Sequence, residues 1–133
     1  MLEISTDPAR HDRELIHRYL SEESYWARGR TREQSERILD RSLCFGAYAD
    51  GRQVGHARVV TDGVVFGYIA DLFVVSAARG RGIGKALVAA ILEHADVRDL
   101  SRLVLVTDDA HGLYEGYGFR PLDDVRKWMV RRA

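Results

Sequence analysis

The segment "RGRGIGKA", residues 79–86, places three glycines and three cationic side chains within eight positions. It follows shortly after "VVFGYIADLFVV", residues 64–75, whose almost uninterrupted apolar character predicts a long strand covered on both faces. From residue 83 to residue 95 apolar residues recur at helical spacing. The glycines therefore connect a buried strand with a helix. Such a connection is a hinge, a cradle for nucleotide phosphates or a basic patch for nucleic acid.

Two known phosphate-binding motifs do not fit this segment. A P-loop requires G-x-x-x-x-G-K-[ST], but Arg79 stands where its first glycine is needed and Ala86 where a hydroxyl must reach magnesium. A dinucleotide fingerprint requires G-x-G-x-x-G, and here Gly84 comes one residue too early. Both motifs are therefore excluded.

The physical properties of the segment still indicate an anion site. Glycines let the backbone turn sharply and approach a ligand, and a helix N-terminus contributes partial positive charge. Arg79, Arg81 and Lys85 add full charges, and no Asp or Glu occurs between residues 72 and 92. We therefore predict a site for a pyrophosphate. The alternative is a simple strand-to-helix turn with solvated arginines.

The sequence as a whole predicts one domain, residues 1–133, of the α/β class. Its architecture is a mixed, mostly antiparallel central sheet flanked by helices. Asp50 and Gly51 form a hairpin turn signal between two strands, and Thr31 with Gln34 forms a capping-box pattern. After this antiparallel meander comes a strand-helix-strand crossover of the kind that gives parallel neighbours. Beside the long strand 64–75, we predict strands at residues 2–6, 42–48, 53–60, 102–107 and 126–130, and helices at 7–20, 31–40, 83–95 and 110–117.

Composition narrows the classes of function. Twenty basic residues balance twenty acidic ones, so the overall charge does not indicate a nucleic-acid or membrane-surface partner. No apolar run approaches the roughly 20 residues that span a bilayer, and the N-terminus lacks a secretory signal, so we expect a soluble, cytoplasmic protein. A single cysteine, Cys44, rules out an internal disulfide and is interpreted as a buried structural thiol. The histidines lack metal-ligand spacing, so no metal is expected.

Several blocks of the sequence together resemble the Gcn5-related N-acetyltransferases. Residues 79–84 match that family's R/Q-x-x-G-x-G/A signature, and "YIADLFVV" looks like its splayed central strand. "AHGLYEGYGF" is similar to its later "LYEKxGF" element, with Tyr114, Gly118 and Phe119 in register. The resemblance covers essentially the whole chain from Leu43 onward.

This resemblance implies the fold, the cofactor and its binding residues. The cofactor would be acetyl-coenzyme A. Its pyrophosphate would lie on the glycine loop, and its pantetheine arm would lie along the central strand with backbone groups serving the thioester carbonyl. The matching loop residues are Arg79, Gly80, Arg81, Gly82, Ile83, Gly84 and Lys85, and the matching strand residues are Leu72, Phe73 and Val74.

The resemblance also implies roles in the chemistry. Tyr114 matches the tyrosine that many members use to protonate the coenzyme A sulfur, and the alternative is a packed aromatic that lines the cofactor channel. His111, three residues earlier, contacts the cofactor or is a surface residue. "VTDDAHG" departs from the family's frequent pattern, which has Asn near Thr107.

Fewer sequence patterns mark the part of the site that would bind the acceptor. Asp71 is the only acid inside the central strand, and its side chain should lie on the face opposite Leu72. We predict that Asp71 binds or deprotonates the acceptor, and the alternative is a structural ion pair with Arg58. In the segment before the second helix, Tyr25 and Trp26 are predicted to form an aromatic wall for the acceptor, while Glu22 and Glu23 attract a cationic amine. The alternative is that the two aromatics fasten the segment to the core and the glutamates are solvated.

The expected function is therefore transfer of an acetyl group to a primary amine, on a small molecule or a peptide, by direct attack in a ternary complex. No nucleic-acid or membrane partner is expected, and the resemblance is compatible with a homodimer. Two other classes stay open. One is a non-catalytic domain that binds acetyl-CoA as a signal, and the other is a nucleic-acid module that uses the basic loop and the C-terminal cations.

Overall fold

The computed structural model describes residues 1–133 and contains one five-stranded sheet in the order β1-β2-β3-β4-β5. The strands are β1 (Leu2–Ser5), β2 (Leu43–Ala49), β3 (Arg52–Thr61), β4 (Phe66–Val74) and β5 (Arg102–Leu105). Neighbouring strands from β1 to β4 are antiparallel, and β5 is parallel to β4. The predicted mixed, mostly antiparallel sheet is confirmed.

The turn between β2 and β3 forms where the sequence predicted it. Asp50 has φ 53° and Gly51 has φ 78°, and positive values at both central positions are what a type I′ hairpin turn requires. Asp and Gly are among the residues that tolerate this conformation best.

Helix α3 (Ile83–Glu93) connects β4 to β5 and covers one face of the sheet. Its buried residues follow the helical period that the sequence showed, so one stripe of the helix faces the strands. This stripe packs on inward-facing residues of β2, β3 and β4. The resulting core includes Phe45, Ala47, Ala57, Val59, Ile69, Ile83, Leu87 and Ile91.

The other face of the sheet carries α1 (Arg13–Arg18), a π-helical turn (Tyr19–Glu23) and α2 (Arg32–Arg41). Thr31 and Gln34 form the predicted capping box at the start of α2. The buried residues of this layer are Ile16, Tyr19, Leu20, Ala27, Leu39, Cys44 and Phe73. None of the helices has the length and apolar composition needed to cross a bilayer.

The prediction of one helix over residues 7–20 is wrong in its first half. Asp7 accepts a hydrogen bond from the backbone N–H of Ala9 and caps a single 3-10 turn, Pro8–Arg10. Asp12 then accepts from Leu15 N–H and caps α1. Two capping carboxylates within six positions start two separate helical segments, because a capping residue has non-helical backbone angles.

The C-terminal segment also differs from the prediction. Helix α4 (His111–Glu115) forms, but residues 126–130 contain no strand. A 3-10 turn spans Val125–Lys127, and the Trp128 indole donates to Asp124 while Arg102 lies over its ring. A segment forms a strand only where a neighbouring backbone edge pairs with it, and here contacts of the Trp128 side chain hold the segment instead.

Candidate active site

An irregularity in β4 sets the geometry of the candidate site. His56 of β3 pairs with Phe73 of β4, and Arg58 pairs with Ala70, so two residues of β4 lie opposite a single residue of β3. The bulge contains Asp71, whose φ of 55° lies in the left-handed region that a non-glycine residue rarely adopts. Bulges re-aim side chains, and this one turns Asp71 towards the α1/α2 face while Leu72 packs towards α3.

The parallel strands β4 and β5 separate beyond the pairing of Ile69 with Leu105. A cavity of about 520 Å³ lies where they diverge, and we call it the β4–β5 cleft. Its walls come from the segment before α2, from β4 and from the chain between β5 and α4. They include Tyr25, Trp26, Arg30, Arg58, Asp71, Leu72, Thr107, Asp108, Asp109 and Tyr114. The cleft thus brings together four of the residues predicted for catalysis and acceptor binding.

One backbone edge of β4 faces this cleft. The N–H of Val75 donates to the carbonyl of Val54 at the β3 side. Because backbone groups in an antiparallel ladder point alternately to the two sides, those of Val74 point away from β3, towards the side where β5 has ended, and Leu72 in the bulge lines the cleft itself. Phe73 is held from the other layer by Tyr19, with the two rings stacked at 4.0 Å.

The glycine loop leads from the end of β4 into α3. Gly80 and Gly82 have φ values of 79° and 77°, which explains the need for glycine at both positions. The backbone N–H groups of residues 80–85 donate to no protein acceptor, and the side chains of Arg81 and Lys85 are exposed and make no ion pair. Arg79 is engaged elsewhere, because its guanidinium donates to Val74 O at 3.1 Å and to the Tyr19 hydroxyl at 2.7 Å. Unpartnered N–H groups at a helix N-terminus beside two free cations suit a diphosphate.

Tyr114 is held rigidly at the wall of the cleft. Gly118 N–H donates to Glu115 O and Phe119 N–H to Tyr114 O, with Gly118 at φ 92°, which is a Schellman end to α4. The accompanying contact is the edge-on packing of Phe119 on Tyr114, with centroids 5.7 Å apart. The Tyr114 side chain is buried, its hydroxyl has no protein partner, and burial raises its pKa to about 12. The phenol therefore stays protonated at neutral pH.

Asp71 is the centre of a buried polar network. Its Oδ1 accepts from Trp26 Nε1 at 2.8 Å, and its Oδ2 accepts from Arg30 at 2.8 Å and from Arg58 Nε at 2.7 Å. Burial acts to raise the pKa of this carboxyl, but the hydrogen bonds from Arg30 and Arg58 outweigh it and hold the pKa below its usual value. The ion pair with Arg58 is therefore present. Sequence reasoning missed Arg30, because no local pattern marks a contact that joins residues so far apart.

The aromatic pair predicted for the acceptor lies at the mouth of the cleft. Tyr25 and Trp26 pack edge to face at 5.0 Å, and the Tyr25 hydroxyl accepts from the N–H of Asp108. Glu22 and Glu23 are exposed and do not line the cleft. His111 is exposed at the start of α4.

Cys44 is the only cysteine of the chain and lies away from the cleft. It is buried, and burial raises the pKa of its thiol to about 11. A thiol with this pKa is a poor nucleophile at neutral pH, in agreement with its interpretation as a structural residue.

Comparison with known proteins agrees with this geometry. Residues 10–119 match the Acetyltransferase (GNAT) family. The chain is 44% identical to the GNAT-family chain xcc2953 of Xanthomonas campestris pv. campestris, covering 100% of this chain and 94% of that one, with a TM-score of 0.97. It is 29% identical to the protein FG08082 of Gibberella zeae, named as an acetyltransferase, over 84% of this chain and 74% of that protein.

The fold is also that of a Clostridium acetobutylicum chain crystallised with acetyl-CoA, at 16% identity and a TM-score of 0.63, covering 99% of this chain and 96% of that one. That likeness concerns the fold alone. The family match and the likeness to the Xanthomonas chain show the family as well as the fold. Each spans most of the chain, including the glycine loop, the bulged strand and Tyr114. The chain belongs to the GNAT family of acetyltransferases.

Proposed function

We propose that this protein transfers an acetyl group from acetyl-CoA to a primary amine by direct attack within a ternary complex. The observation that carries this proposal is the β4–β5 cleft, in which a protonated Tyr114, the free edge of β4 and the aromatic pair at residues 25–26 face one space. Members of the family use acetyl-CoA. The residues present fit that molecule, because the unpartnered N–H groups of residues 80–85 and two free cations suit its diphosphate.

Two parts of the chain would hold acetyl-CoA. The N–H groups of residues 80–85, with Arg81 and Lys85, bind the diphosphate, and the backbone groups of Leu72 and Val74 bind the pantetheine arm. When bound, acetyl-CoA supplies an acetyl thioester to the amine. Holding two reactants in one oriented site is worth up to about 7–11 kcal/mol of the barrier.

The reaction requires one proton to leave the amine and one to reach the departing sulfur. A bond forms between the amine nitrogen and the acetyl carbon, and the bond from that carbon to sulfur breaks. The hydroxyl of Tyr114 donates a proton to the thiolate, whose reference pKa of about 8.5 lies well below that of the phenol, so the transfer depends on placement within hydrogen-bond reach. The phenolate that this leaves takes a proton back from water, which restores Tyr114 for the next turnover. The amine releases its proton to water in the open cleft.

Asp71 has a positioning role in this proposal rather than that of a base. Its two oxygens already accept three hydrogen bonds, and its lowered pKa makes it a weak proton acceptor. It fixes the Trp26 indole and the Arg30 guanidinium at the acceptor wall. Direct attack needs no acyl-enzyme, and the buried Cys44 is unsuited to form one.

Titration calorimetry with acetyl-CoA, with desulfo-CoA as control, followed by thiol release over a panel of amines tests the proposal. We expect micromolar binding and cofactor-dependent thiol release with at least one amine. Binding without release by any amine would favour the non-catalytic acetyl-CoA-binding domain. Absence of cofactor binding together with steeply salt-dependent binding of nucleic acid would favour the nucleic-acid module. The homodimer and the cytoplasmic location stay predictions.

A further inference from the structure

A second cavity lies beside α2, between the segment at residues 26–31 and the ends of β2 and β3. Its volume is about 930 Å³, and we call it the arginine cleft. Five of the residues that line it are arginines, and the only acid among them is Glu33. The arginines are Arg28, Arg30, Arg37, Arg41 and Arg58.

Three of these arginines have no counter-charge. Arg28, Arg37 and Arg41 make no ion pair and no side-chain hydrogen bond, and all three are exposed. Arg13 and Arg32 on the same face of the sheet are paired, Arg13 with Glu36 and Asp40 and Arg32 with Glu14 and Glu36, whereas the exposed Arg18 of α1 makes no ion pair. Three of the unpaired arginines of this layer thus lie together in one cleft.

The arrangement of these charges is unfavourable in the absence of an anion. Arg37 and Arg41 lie four residues apart on one face of α2, where like charges repel. Arg41 gains from its place in the last turn of the helix, but Arg37 and Arg28 do not. Arg30 and Arg58 already share the single carboxylate of Asp71. The cleft therefore carries an excess of guanidinium groups, whose planar donor pattern matches carboxylate and phosphate.

The arginine cleft adjoins the β4–β5 cleft. Trp26, Arg30 and Arg58 line both cavities, so they form a shared wall beside Asp71. On the far side of the β4–β5 cleft, Asp108 and Asp109 contribute negative charge. The two adjoining cavities thus present carboxylates on one side and arginines on the other.

We propose that the arginine cleft binds an anionic group of the acceptor, so that the acceptor is a dipolar primary amine that carries a carboxylate or a phosphate. The amine lies in the β4–β5 cleft near Tyr114, and the anion is bound by Arg37 and Arg41 with Arg28 at the edge. This inference rests on the proposed acetyl transfer and names the substrate class of the same site.

Matched pairs of amines test this assignment in the full-length protein. Thiol release from acetyl-CoA is measured with O-phosphoethanolamine against ethanolamine, and with β-alanine against propylamine. We expect kcat/KM to be at least tenfold higher for the anionic member of at least one pair. The pair that shows the preference distinguishes phosphate from carboxylate.

The double variant Arg37→Gln with Arg41→Gln is then compared with the wild type. Because both side chains are exposed, the variant is expected to fold and to bind acetyl-CoA as the wild type does. It should lose at least tenfold in kcat/KM for the anionic amine, mainly through KM, and change less than twofold for the neutral one. A second double variant, Arg131→Gln with Arg132→Gln, makes the same change of net charge outside the cleft and should change neither.

Failure of the inference and failure of the proposed function look different in this experiment. Thiol release with no preference for anionic amines, or an equal loss for both members of a pair in the α2 double variant, would overturn the arginine cleft as the anion site. An equal loss of kcat/KM for the anionic amine in the variant Arg131→Gln with Arg132→Gln would assign the preference to the overall electrostatic field of the protein and overturn the arginine cleft as the anion site. Absence of thiol release with every amine, in protein that binds acetyl-CoA, would overturn the transferase itself and the acceptor class with it.

Discussion

The indole Nε1 of Trp26 donates a hydrogen bond of 2.8 Å to Oδ1 of Asp71, joining residues 45 positions apart. This contact fixes the segment before α2 to the bulge of β4. Because the other oxygen of Asp71 is held by Arg30 and Arg58, a single carboxylate organises the wall that the two clefts share.

Asp71→Asn tests how much the fold depends on this carboxylate. The substitution leaves two largely buried guanidinium groups without a counter-charge, and we expect the free energy of unfolding to fall by about 3–5 kcal/mol. Urea unfolding at pH 7 measures the change. The matched control is Asp99→Asn, which removes an exposed ion pair with Arg98 and should cost less than about 1 kcal/mol. Equal effects of the two substitutions would contradict the structural role of Asp71.

The stabilisation by Asp71 also has a definite pH dependence. Its pKa in the folded protein lies below the ordinary 3.8, so the unfolded chain takes up a proton at higher pH than the folded one. The contribution is therefore fully present above the unfolded pKa and is lost as the pH falls through the folded pKa. The slope of stability against pH in this acid range should be smaller in Asp71→Asn than in the wild type.

Features set by local chemistry could be predicted from the sequence. The hairpin at Asp50 and Gly51, the capping box at Thr31 and the strand-glycine-helix connection all depend on residues within a few positions of one another. The sequence indicated only one of the three hydrogen-bond partners of Asp71. Arg58 is out of place in an apolar strand, just as Asp71 is, whereas Arg30 and Trp26 reach the carboxylate only because α2 folds over the sheet.

The two wrong predictions have different physical origins. The residue types at positions 126–130 say nothing about whether a backbone edge is available to pair with this segment. A continuous helix over residues 7–20 fails for a local reason, because two capping aspartates, Asp7 and Asp12, divide the segment. No sequence pattern indicated the arginine cleft, because its residues come from α2, β3 and an irregular segment that only the fold brings together.

His56 predicts a second, separate acid sensitivity. It is fully buried, neither ring nitrogen has a hydrogen-bond partner, and burial lowers its pKa from 6.5 to about 3. The folded protein thus holds the neutral ring while the unfolded chain protonates below pH 6.5, so stability is present above 6.5 and is lost as the pH falls towards 3. By pH 5 the loss should reach about 2 kcal/mol.

Unfolding in urea at pH 7.5 and pH 5.0 isolates this contribution. We expect the difference between the two pH values to shrink by about 2 kcal/mol in His56→Phe, with His56→Leu as a second variant should the larger ring not be accommodated. His111→Phe, at an exposed histidine, serves as the control and should retain the wild-type difference. If the buried and exposed variants respond alike, His56 is not the source of the acid sensitivity.

Gly82→Asp tests the glycine loop as the diphosphate site. A Cβ at this position meets no atom within 4 Å, so the protein itself tolerates the side chain apart from the strain of a φ of 77°. The new carboxylate lies beside the free N–H groups of residues 80–85 and repels a diphosphate. We expect the Kd for acetyl-CoA to rise at least tenfold, which corresponds to about 1.4 kcal/mol.

Gly51→Asp provides a control with the same backbone constraint. Gly51 has φ 78° and likewise no atom within 4 Å of a Cβ, but it lies in the hairpin turn. Both variants should lose similar stability, and only Gly82→Asp should lose affinity for acetyl-CoA in calorimetric titration. Unchanged affinity in Gly82→Asp would mean that the diphosphate binds elsewhere.

Tyr114→Phe separates proton donation from packing at the same ring. The phenyl ring keeps its contact with Phe119, and the lost hydroxyl makes no hydrogen bond within the protein, so the fold and the affinity for acetyl-CoA should change little. Loss of general-acid assistance should lower kcat by about 10²-fold or more. The measurement is thiol release at saturating acetyl-CoA from pH 6 to 9, with titration calorimetry on the same samples. Tyr48→Phe, whose hydroxyl contacts His11 away from the cleft, should keep the wild-type kcat. A wild-type rate for Tyr114→Phe at every pH would assign protonation of the sulfur to water, and a matching loss of cofactor affinity would assign Tyr114 to binding.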